Sequence, residues 1–414
     1  MQLRCGELLW PDLSPGLTAR GPLRENARAD VAVVGSGITG ALVAYRLMKA
    51  GLSVVVVDKR PLACGSTPAS TALLQYEIDT LLIELAAIHG RAHAEAAYRC
   101  SLKALSDLQK IIVDEDITCG LAERPSLYLA TADDDVPLLQ RESEARRAIG
   151  IDATFIDAGV LRQNYGLGRP GAIVSGSALE IDPWRFTHQL WSRCLAGGVK
   201  VFDQTELAPH HAHTQRPHLQ TAAGPAIDCD HVVFATGYEA PTMFPELRGL
   251  FTMRATFALA TPPVRPADLW PGRALIWERA DPYLYLRTTQ DNRVIVGGED
   301  VLYRDSLPGK EQIQRACQTL LHKASQLIPA LANQSADYAW VGTFDVTGDG
   351  LPYIGSIDAH HRCHLALGYG GNGITFSVLA SEILRDIITG QPNNAAGLFA
   401  FKRRRDGSGS SVCT

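Results

Sequence analysis

A glycine-rich turn between two apolar runs constrains the fold of this chain more than any other feature. Residues 31–40 read Val-Ala-Val-Val-Gly-Ser-Gly-Ile-Thr-Gly, a helical stretch continues to Lys49, and residues 53–58 read Ser-Val-Val-Val-Val-Asp. Neither apolar run alternates, which is typical of parallel strands buried on both faces. The pattern predicts a strand, a helix and a second strand, the unit that binds dinucleotides.

Each residue type in this βαβ unit has a mechanical role. Gly35 allows a tight turn, Gly37 lets the backbone approach a pyrophosphate, and Gly40 lets the helix lie close to the strand. Free N–H groups at the helix start attract phosphate, and Asp58 is placed to accept hydrogen bonds from a ribose. The whole context favours a cofactor site over a structural glycine turn, with the predicted binding set Gly35, Gly37, Ile38, Thr39, Gly40, Asp58 and Lys59.

Composition limits the partners that we expect. The chain has 414 residues, 46% of them hydrophobic, and a net charge of −5. This is enough for two or three domains of about 150 residues, and gives no electrostatic reason to expect nucleic acid or an anionic membrane. Nine cysteines without a Cys-x-x-Cys pair suit a reducing compartment, and no apolar run reaches membrane-helix length. We expect a cytoplasmic protein that acts on a small molecule; the oligomeric state stays open.

Two stretches flank the unit. Residues 1–29 contain Pro and Gly pairs that break any period, so we expect an extended lead-in over the surface. Residues 64–71, Cys-Gly-Ser-Thr-Pro-Ala-Ser-Thr, precede an apolar helix signal at 72–74. Hydroxyl groups here either bind phosphate oxygens or cap that helix, and they belong to Ser66, Thr67, Ser70 and Thr71.

Downstream periodicity predicts helices and strands that core packing explains. Apolar steps of three and four residues predict helices within 77–113, 136–149, 160–165, 183–196 and 312–328. The strand at 230–234 ends in Ala235, Thr236 and Gly237, where the backbone either passes close to a cofactor or makes a plain tight turn. Four histidines lie just before this strand: His210, His211, His213 and His218. Histidines in such a hairpin are more often exposed at a solvated sheet edge than bound to a metal, so we expect no metal site.

Two later segments offer further site residues. In the β-rich stretch 250–300, alternation places Tyr283, Tyr285 and Arg287 on one strand face, which either lines a cavity or meets water. Residues 348–355 and 368–373 are glycine-rich, and a helix follows at 374–388. Backbone amides at such a helix start can point at an anionic group; the predicted set is Gly350, Gly371, Asn372, Gly373, Ile374 and Thr375.

Taken in order, these segments resemble the FAD-dependent D-amino-acid oxidase superfamily. The resemblance rests on the dinucleotide unit, the hydroxyl-rich stretch, Ala-Thr-Gly, Tyr-x-Tyr-x-Arg, Gly-Leu-Pro-Tyr-Ile-Gly and Gly-Tyr-Gly-Gly-Asn-Gly-Ile-Thr. It covers about residues 30–390. The nearest likeness is to the branch of glycine, sarcosine and γ-glutamylputrescine oxidases, the last through the lead-in with Trp10.

The resemblance implies an α/β fold with a discontinuous Rossmann-type FAD-binding domain of the glutathione-reductase kind. A β-rich substrate domain and a helical insertion would complete it. The expected bounds are a lead-in at 1–29, the FAD-binding domain at 30–75, 183–240 and 336–390, the substrate or cap domain at 76–182 and 241–335, and a tail, disordered from Lys402, at 391–414.

The resemblance also implies roles for the predicted residues. The adenosine ribose would lie on Asp58, the pyrophosphate over residues 35–40 with help from Ser66, and the adenine near Leu207. The flavin N1–C2=O edge would meet the helix that starts near Gly373, where the helix N-terminus stabilises the charge that reduction places there. Hydride transfer from a C–N carbon to flavin N5 would give an imine that water hydrolyses, with dioxygen or another acceptor taking the electrons.

Departures from the family pattern narrow the expected substrate. Relatives that act on α-amino acids hold the carboxylate with two arginines, where this chain has Phe344 and Gly371. The cysteine that carries flavin in some relatives is replaced by Gly342, and the strand at 283–287 has no oxygen-activating lysine. We therefore expect non-covalent FAD and an amine, or an amino compound with a remote carboxylate, near Tyr283, Tyr285, Arg287 and Phe344. The alternative is an α-amino-acid oxidase or dehydrogenase with Arg287 as the carboxylate clamp.

Two other classes of protein share part of the pattern. An NAD-dependent dehydrogenase would have the first βαβ unit without needing the late glycine turn. A flavin-binding interaction protein would keep the cofactor residues and lose the cavity. A visible spectrum separates the first from a flavoenzyme, and anaerobic bleaching by amines separates the second.

Overall fold

The computed structural model of the protein describes residues 1–208, 216–304, 306–357 and 362–403. The strands in these ranges are β1 Arg4–Gly6, β2 Ala27–Val34, β3 Val54–Val57, β4 Leu73–Leu74, β5 Ala122–Leu129, β6 Ala153–Asp157, β7 Gly171–Glu180, β8 Lys200–Phe202, β9 His218–Gln220, β10 Ala226–Phe234, β11 Phe251–Ala260, β12 Leu275–Glu278, β13 Leu284–Thr288, β14 Val294–Leu302, β15 Tyr338–Thr347, β16 Tyr353–Ser356 and β17 Cys363–Leu367. The α-helices are α1 Leu9–Leu13, α2 Ile38–Lys49, α3 Leu82–His89, α4 Arg91–Asp114, α5 Val136–Ala148, α6 Ala158–Tyr165, α7 Pro183–Ala196, α8 Ala240–Met243, α9 Lys310–Leu327 and α10 Gly373–Thr389.

The smaller sheet contains the predicted dinucleotide unit. Its order is β16-β17-β10-β2-β3-β8, with β9 paired to β10. β2 pairs in parallel with both β10 and β3, and β3 with β8, while α2 connects β2 to β3. The last four residues of β2 and all of β3 are buried, as their apolar runs predict. The Rossmann-type α/β fold is thus confirmed.

The tight turn after β2 has no room for side chains at two glycines. Gly35 has φ +111, and a Cβ there would lie 2.4 Å from the carbonyl oxygen of Ala235. A Cβ on Gly40 would lie 1.9 Å from the carbonyl oxygen of Gly35. Both contacts are far shorter than van der Waals distance, so α2 can begin directly over the turn only with glycine at these positions.

The larger sheet builds the β-rich part of the chain. Its order is β1-β15-β11-β14-β13-β12-β5-β7-β4, with β6 paired to β7. Strands β11, β14, β13 and β12 pair antiparallel in that spatial order, within the stretch 250–300 that the sequence predicts to be β-rich, and β12 pairs in parallel with β5. Helix α9 packs on this sheet through its buried side chains, among them Ile313 and Leu320.

Hydrophobic clusters cover both faces of the smaller sheet. One cluster joins β2 and β3 to α2, α4, α7 and α10, so the helical insertion shares a core with the nucleotide-binding sheet. Another lies on the opposite face and includes Phe234 and Phe244. No helix among the described residues combines the length and apolar character that crossing a bilayer requires.

Several sequence-based expectations are wrong. Residues 72–74 are extended, because Leu73 and Leu74 pair with β7, and the next helix begins only at Leu82. β15 starts the third predicted segment of the FAD-binding domain, yet it pairs with β11 in the larger sheet. Long-range pairing between strands decides both cases, and local periodicity does not report it.

The two chain ends are also more embedded than predicted. In the lead-in, β1 pairs with β15, and Trp10 is 2% exposed with its Nε1 donating to the Ser70 carbonyl at 2.7 Å. At the other end, the Arg403 guanidinium is buried and donates to Asp349 Oδ2 at 2.7 Å. The expected surface lead-in and the expected disorder from Lys402 are therefore corrected for these residues; residues 404–414 lie outside the described range.

The steric argument at the glycine turn is testable. We expect Gly40→Ala to lower the free energy of unfolding by about 3 kcal/mol or more, because the added methyl group must displace the β2–α2 turn. Gly168→Ala is the matched control, since no heavy atom lies within 4 Å of a Cβ there. Its unfolding free energy should change by less than about 0.5 kcal/mol. Urea unfolding of both variants measures the difference, and equal stability would contradict the steric reading.

Candidate active site

A cavity of about 500 Å³ lies between the strand ends of the smaller sheet at Val34 and Ala235 and the middle of β11 and β15 in the larger sheet. Its walls come from the turn after β2, the segments 65–79 and 235–239, the start of α10, and strands β11, β13 and β15. Most predicted site residues line it: Gly35, Gly37, Ile38, Thr39, Asp58, Lys59, Ser66, Thr67, Ser70, Thr71, Leu207, Ala235, Thr236, Gly237, Tyr283, Tyr285, Phe344, Gly371, Asn372, Gly373, Ile374 and Thr375. Gly40, Arg287 and Gly350 do not.

At one end of the cavity, Asp58 holds the glycine turn. Its Oδ2 accepts hydrogen bonds from the N–H and Oγ of Ser36, both at 2.7 Å, and its Oδ1 accepts from the Arg60 N–H at 2.8 Å. Thr67 Oγ1 accepts from the Ile38 N–H at 3.0 Å, so this hydroxyl satisfies the first turn of α2. The hydroxyl-rich stretch therefore does contain a helix-capping group, although it serves α2 and not the helix predicted at 72–74.

A charged cluster beside Asp58 was not predicted from the sequence. Glu239 accepts from Lys59 Nζ at 2.9 Å and from Arg60 Nη1 at 2.7 Å. Burial alone would raise the pKa of Glu239, but these hydrogen bonds outweigh it and lower the pKa to about 2. The carboxylate is therefore ionised, and it orders the two cations that follow the second strand of the dinucleotide unit.

The N-terminus of α10 faces the same cavity. Asn372, its N-cap, makes no side-chain cap, and its Nδ2 donates to the Glu77 carbonyl at 2.8 Å. The buried Oδ1 of Asn372 and the buried Oγ1 of Thr236, both on the cavity wall, have no hydrogen-bond partner. Unpaired buried polar atoms and the positive end of a 17-residue helix fit a polar, anionic cofactor.

Aromatic side chains enclose the cavity on the larger sheet. The rings of Tyr283 and Tyr285 lie 5.6 Å apart, and Trp277 stacks on Tyr128 at 3.8 Å. A Cβ on Gly297 would lie 2.1 Å from Tyr285 Cζ, so this glycine makes the space that the phenol occupies. Burial raises the pKa of Tyr285 to about 12, which keeps the phenol a neutral hydrogen-bond donor at physiological pH.

A carboxylate stands against Gly371, one of the two positions where an arginine was missing. The Gly371 N–H donates to Asp79 Oδ2 at 2.7 Å, and a Cβ on Gly371 would lie 2.9 Å from Asp79 Oδ1. Asp79 lines the cavity. Sequence reasoning missed it because 292 residues separate the two partners and no local motif marks Asp79.

Arg287 lies away from the cavity, in contrast to the prediction. It is 2% exposed, and its Nη1 donates to the carbonyls of Thr71, Ala72 and Ile181 at 3.2, 2.7 and 2.9 Å. Its guanidinium also lies over the Trp10 ring at 5.4 Å. These contacts use the donors that a substrate carboxylate would need, so Arg287 is a structural residue that fixes segment 71–72.

Gly350 is likewise a structural position. It has φ +78, and a Cβ there would lie 2.4 Å from Thr80 Oγ1. The residue allows the tight turn between β15 and β16, and the prediction that it binds the cofactor is wrong. The glycine-rich composition of 348–355 signals that turn equally well, which is why the sequence could not separate the two roles.

The histidine stretch falls mostly outside the described residues. His210, His211 and His213 lie outside the described residues. His218 lies on β9, and its Nδ1 is 2.7 Å from Asp228 Oδ1. Among the described ranges, no three His, Cys, Asp or Glu side chains are grouped as metal ligands.

Comparisons with known proteins agree with this arrangement. A family model described as FAD dependent oxidoreductase (DAO) matches residues 30–387. The chain is 24% identical to a glycine oxidase of Bacillus licheniformis, over 91% of this chain and 98% of that protein. It is 25% identical to the γ-glutamylputrescine oxidoreductase of Escherichia coli K12, over 89% of this chain and 85% of that protein.

Solved structures show the same fold. L-proline dehydrogenase from P. horikoshii superposes with a TM-score of 0.78 at 20% identity, covering 91% of this chain and 97% of that one. Glycine oxidase from Geobacillus kaustophilus superposes with a TM-score of 0.76 at 20% identity, covering 92% and 100%.

The contacts of Arg287 predict a stability role. We expect Arg287→Leu to lower the free energy of unfolding by about 3–5 kcal/mol, because it leaves the carbonyls of Thr71, Ala72 and Ile181 without their donor. Arg265→Leu is the control, since that side chain is 83% exposed and pairs with Asp268. A stable Arg287→Leu protein with a selective loss of affinity for acidic substrates would contradict this assignment. Denaturant unfolding and substrate titration provide the measurements.

The lining of the cavity also predicts how the cofactor is attached. Gly342 lies on the wall, and none of the cysteines in the described ranges does. We expect acid precipitation to release FAD into the supernatant, where its absorbance is measured. Yellow colour that stays with the precipitated protein would show a covalent link.

Proposed function

The chain belongs to the FAD-dependent oxidoreductase (DAO) family, and from this premise we propose that it oxidises a C–N bond of a small amine and not of a simple α-amino acid. FAD is the cofactor, and the general activity is FAD-dependent oxidation of an amine or amino acid. The remaining question is which substrate the cavity favours.

The charge at the substrate end carries the proposal. At the positions where the resemblance expects two arginines, the cavity has the Phe344 ring and the Asp79 carboxylate beside Gly371. Burial raises the pKa of Asp79, so this end of the cavity already disfavours negative charge. A substrate carboxylate there would be desolvated without a cation, because Lys59 and Arg60 at the nucleotide end are the cations among the described lining residues, and this costs several kcal/mol. An amine N–H would instead donate to Asp79 and gain a charge-assisted hydrogen bond.

The alternative function, an α-amino-acid oxidase or dehydrogenase, requires Arg287 to bind the substrate carboxylate. Arg287 would have to leave three carbonyl partners to reach a substrate. Arg254 is better placed to meet an acid, since it lies directly opposite Phe344 in the β11–β15 register and cross-strand partners share a face. Arg254 does not line the cavity, so it could meet only an acidic group of a longer amino compound and not a carboxylate next to the reacting carbon.

The chain's own residues orient the amine and exclude water. Bound FAD would supply a two-electron acceptor for the C–H bond next to nitrogen, and water would hydrolyse the resulting imine. Asp79 accepts from the substrate nitrogen, the Tyr283 and Tyr285 phenols donate or pack against it, and Phe344 and Trp277 form apolar walls. The amine reacts in its neutral form, since its lone pair assists cleavage of the C–H bond.

The electron acceptor is dioxygen or another oxidant. Lys59 is the lysine among the described lining residues, and it pairs with Glu239 at the nucleotide end. The substrate end therefore lacks the lysine that would activate oxygen in the related oxidases, which supports a test of artificial acceptors beside dioxygen.

Stopped-flow flavin reduction tests the substrate proposal. We expect simple alkylamines and putrescine derivatives to bleach the flavin faster than glycine, sarcosine or D-alanine, at a rate that rises with pH as the amine loses its proton. Asp79→Ala should lower kcat/KM for amines by about 10- to 150-fold, the loss of one charge-assisted hydrogen bond.

The control is Asp107→Ala, because Asp107 pairs with Lys103 at the surface of α4 and lies away from the cavity. Its kcat/KM should match that of the unchanged protein. Fast bleaching by a small α-amino acid, unaffected by Asp79→Ala, would refute the proposal.

A further inference from the structure

Asp345 is a buried carboxyl group on the cavity wall that the proposed reaction does not use. It lies near the end of β15, is 1% exposed, and faces the turn that precedes α10. Its Oδ2 accepts from the Gly368 N–H at 3.2 Å, and its backbone carbonyl accepts from the Gly370 N–H at 3.0 Å. Its Oδ1 is buried and has no hydrogen-bond partner.

The surroundings hold this carboxyl group in place. Gly368 has φ +77, and a Cβ there would lie 2.7 Å from Thr347 Cγ2, so only glycine lets the turn pack this closely against β15. Leaving a buried acceptor unpaired costs about 1–3 kcal/mol, and native structures rarely contain such atoms without a reason. Asp345 lines the cavity that would hold the cofactor, so a ligand donor is the simplest missing partner for this oxygen.

We propose that Asp345 is a cofactor-binding residue whose Oδ1 accepts a hydrogen bond from an O–H or N–H group of bound FAD. The donor would belong to the ribityl chain or the flavin ring, since Asp345 borders both the 237–239 turn and the 368–371 turn. The proposal depends on FAD as the cofactor and is independent of the substrate. Failure of the amine proposal would leave it intact.

Protonation should modulate this contact. Burial raises the pKa of Asp345 to about 7, and the facing titratable groups, Tyr238 and Tyr369, are phenols whose own pKa values burial also raises. The phenols are therefore neutral where Asp345 titrates. Below that pKa the carboxyl is protonated and accepts weakly, whereas above it the carboxylate accepts strongly. FAD affinity should thus rise with pH through neutrality, and FAD binding should release a proton.

Reconstitution of the apoprotein tests the proposal. Asp345→Asn can satisfy either the Gly368 N–H or the FAD donor with its one carbonyl oxygen, so we expect its FAD dissociation constant to rise by about 10-fold or more. The rise of affinity between about pH 6 and 8 should disappear in this variant. Flavin fluorescence quenching measures both effects, and far-UV circular dichroism of the apoprotein checks folding.

Asp349→Asn is the matched control, because Asp349 is also a buried carboxyl, pairs with Arg403, and does not line the cavity. It should keep the pH dependence of FAD binding. An Asp345→Asn protein that binds FAD as tightly as the unchanged chain would overturn the proposal. So would weaker binding with the pH dependence retained, since that result indicates a structural role alone.

A measurement on the unchanged protein guards against a variant that does not fold. Calorimetric titration of apoprotein with FAD at pH 7, in two buffers of different ionisation enthalpy, reports the protons released on binding. We expect net release, because a hydrogen bond to Oδ1 favours the ionised carboxyl. Proton uptake or no exchange would overturn the proposal.

Discussion

The contact between the β2–α2 turn and the strand end at Ala235 is the steric constraint on which the nucleotide site depends. Gly35 and Gly40 bring three backbone segments closer than any side chain would allow. This closeness places the Ser36 N–H of the turn beside Asp58 and the Ile38 N–H, the first of α2, beside Thr67. Close backbone packing is therefore required before the N–H groups of this turn can attract a charged phosphate.

A second constraint acts from the larger sheet. Arg287 ties segment 71–72 to Ile181 through buried carbonyls and packs on Trp10. The same strand carries Tyr285 to the cavity wall. Arg287, which the sequence suggested as a carboxylate clamp, thus stabilises the cavity wall without lining the cavity. The acidic group that lines the cavity is Asp79, on another segment.

The cavity therefore has a different electrical character at each region. At the nucleotide side Lys59 and Arg60 are paired with the ionised Glu239, and the helix starts supply positive potential, whereas Asp79 and Asp345 line the inner part. This distribution suits an anionic cofactor and a substrate that donates hydrogen bonds.

The sequence by itself determined the parts that follow from local pattern. Unbroken valine runs, glycine spacing and the acid at Asp58 specified the βαβ unit, because strand burial and turn sterics act over a few residues. The predicted residues of this unit that line the cavity are Gly35, Gly37, Ile38, Thr39, Asp58 and Lys59. Only the tertiary structure decided that Leu73 and Leu74 are extended, that β15 joins the larger sheet, and that Arg287 faces carbonyls. Each depends on partners more than 70 residues away, and the free energy of such pairing is absent from any local window.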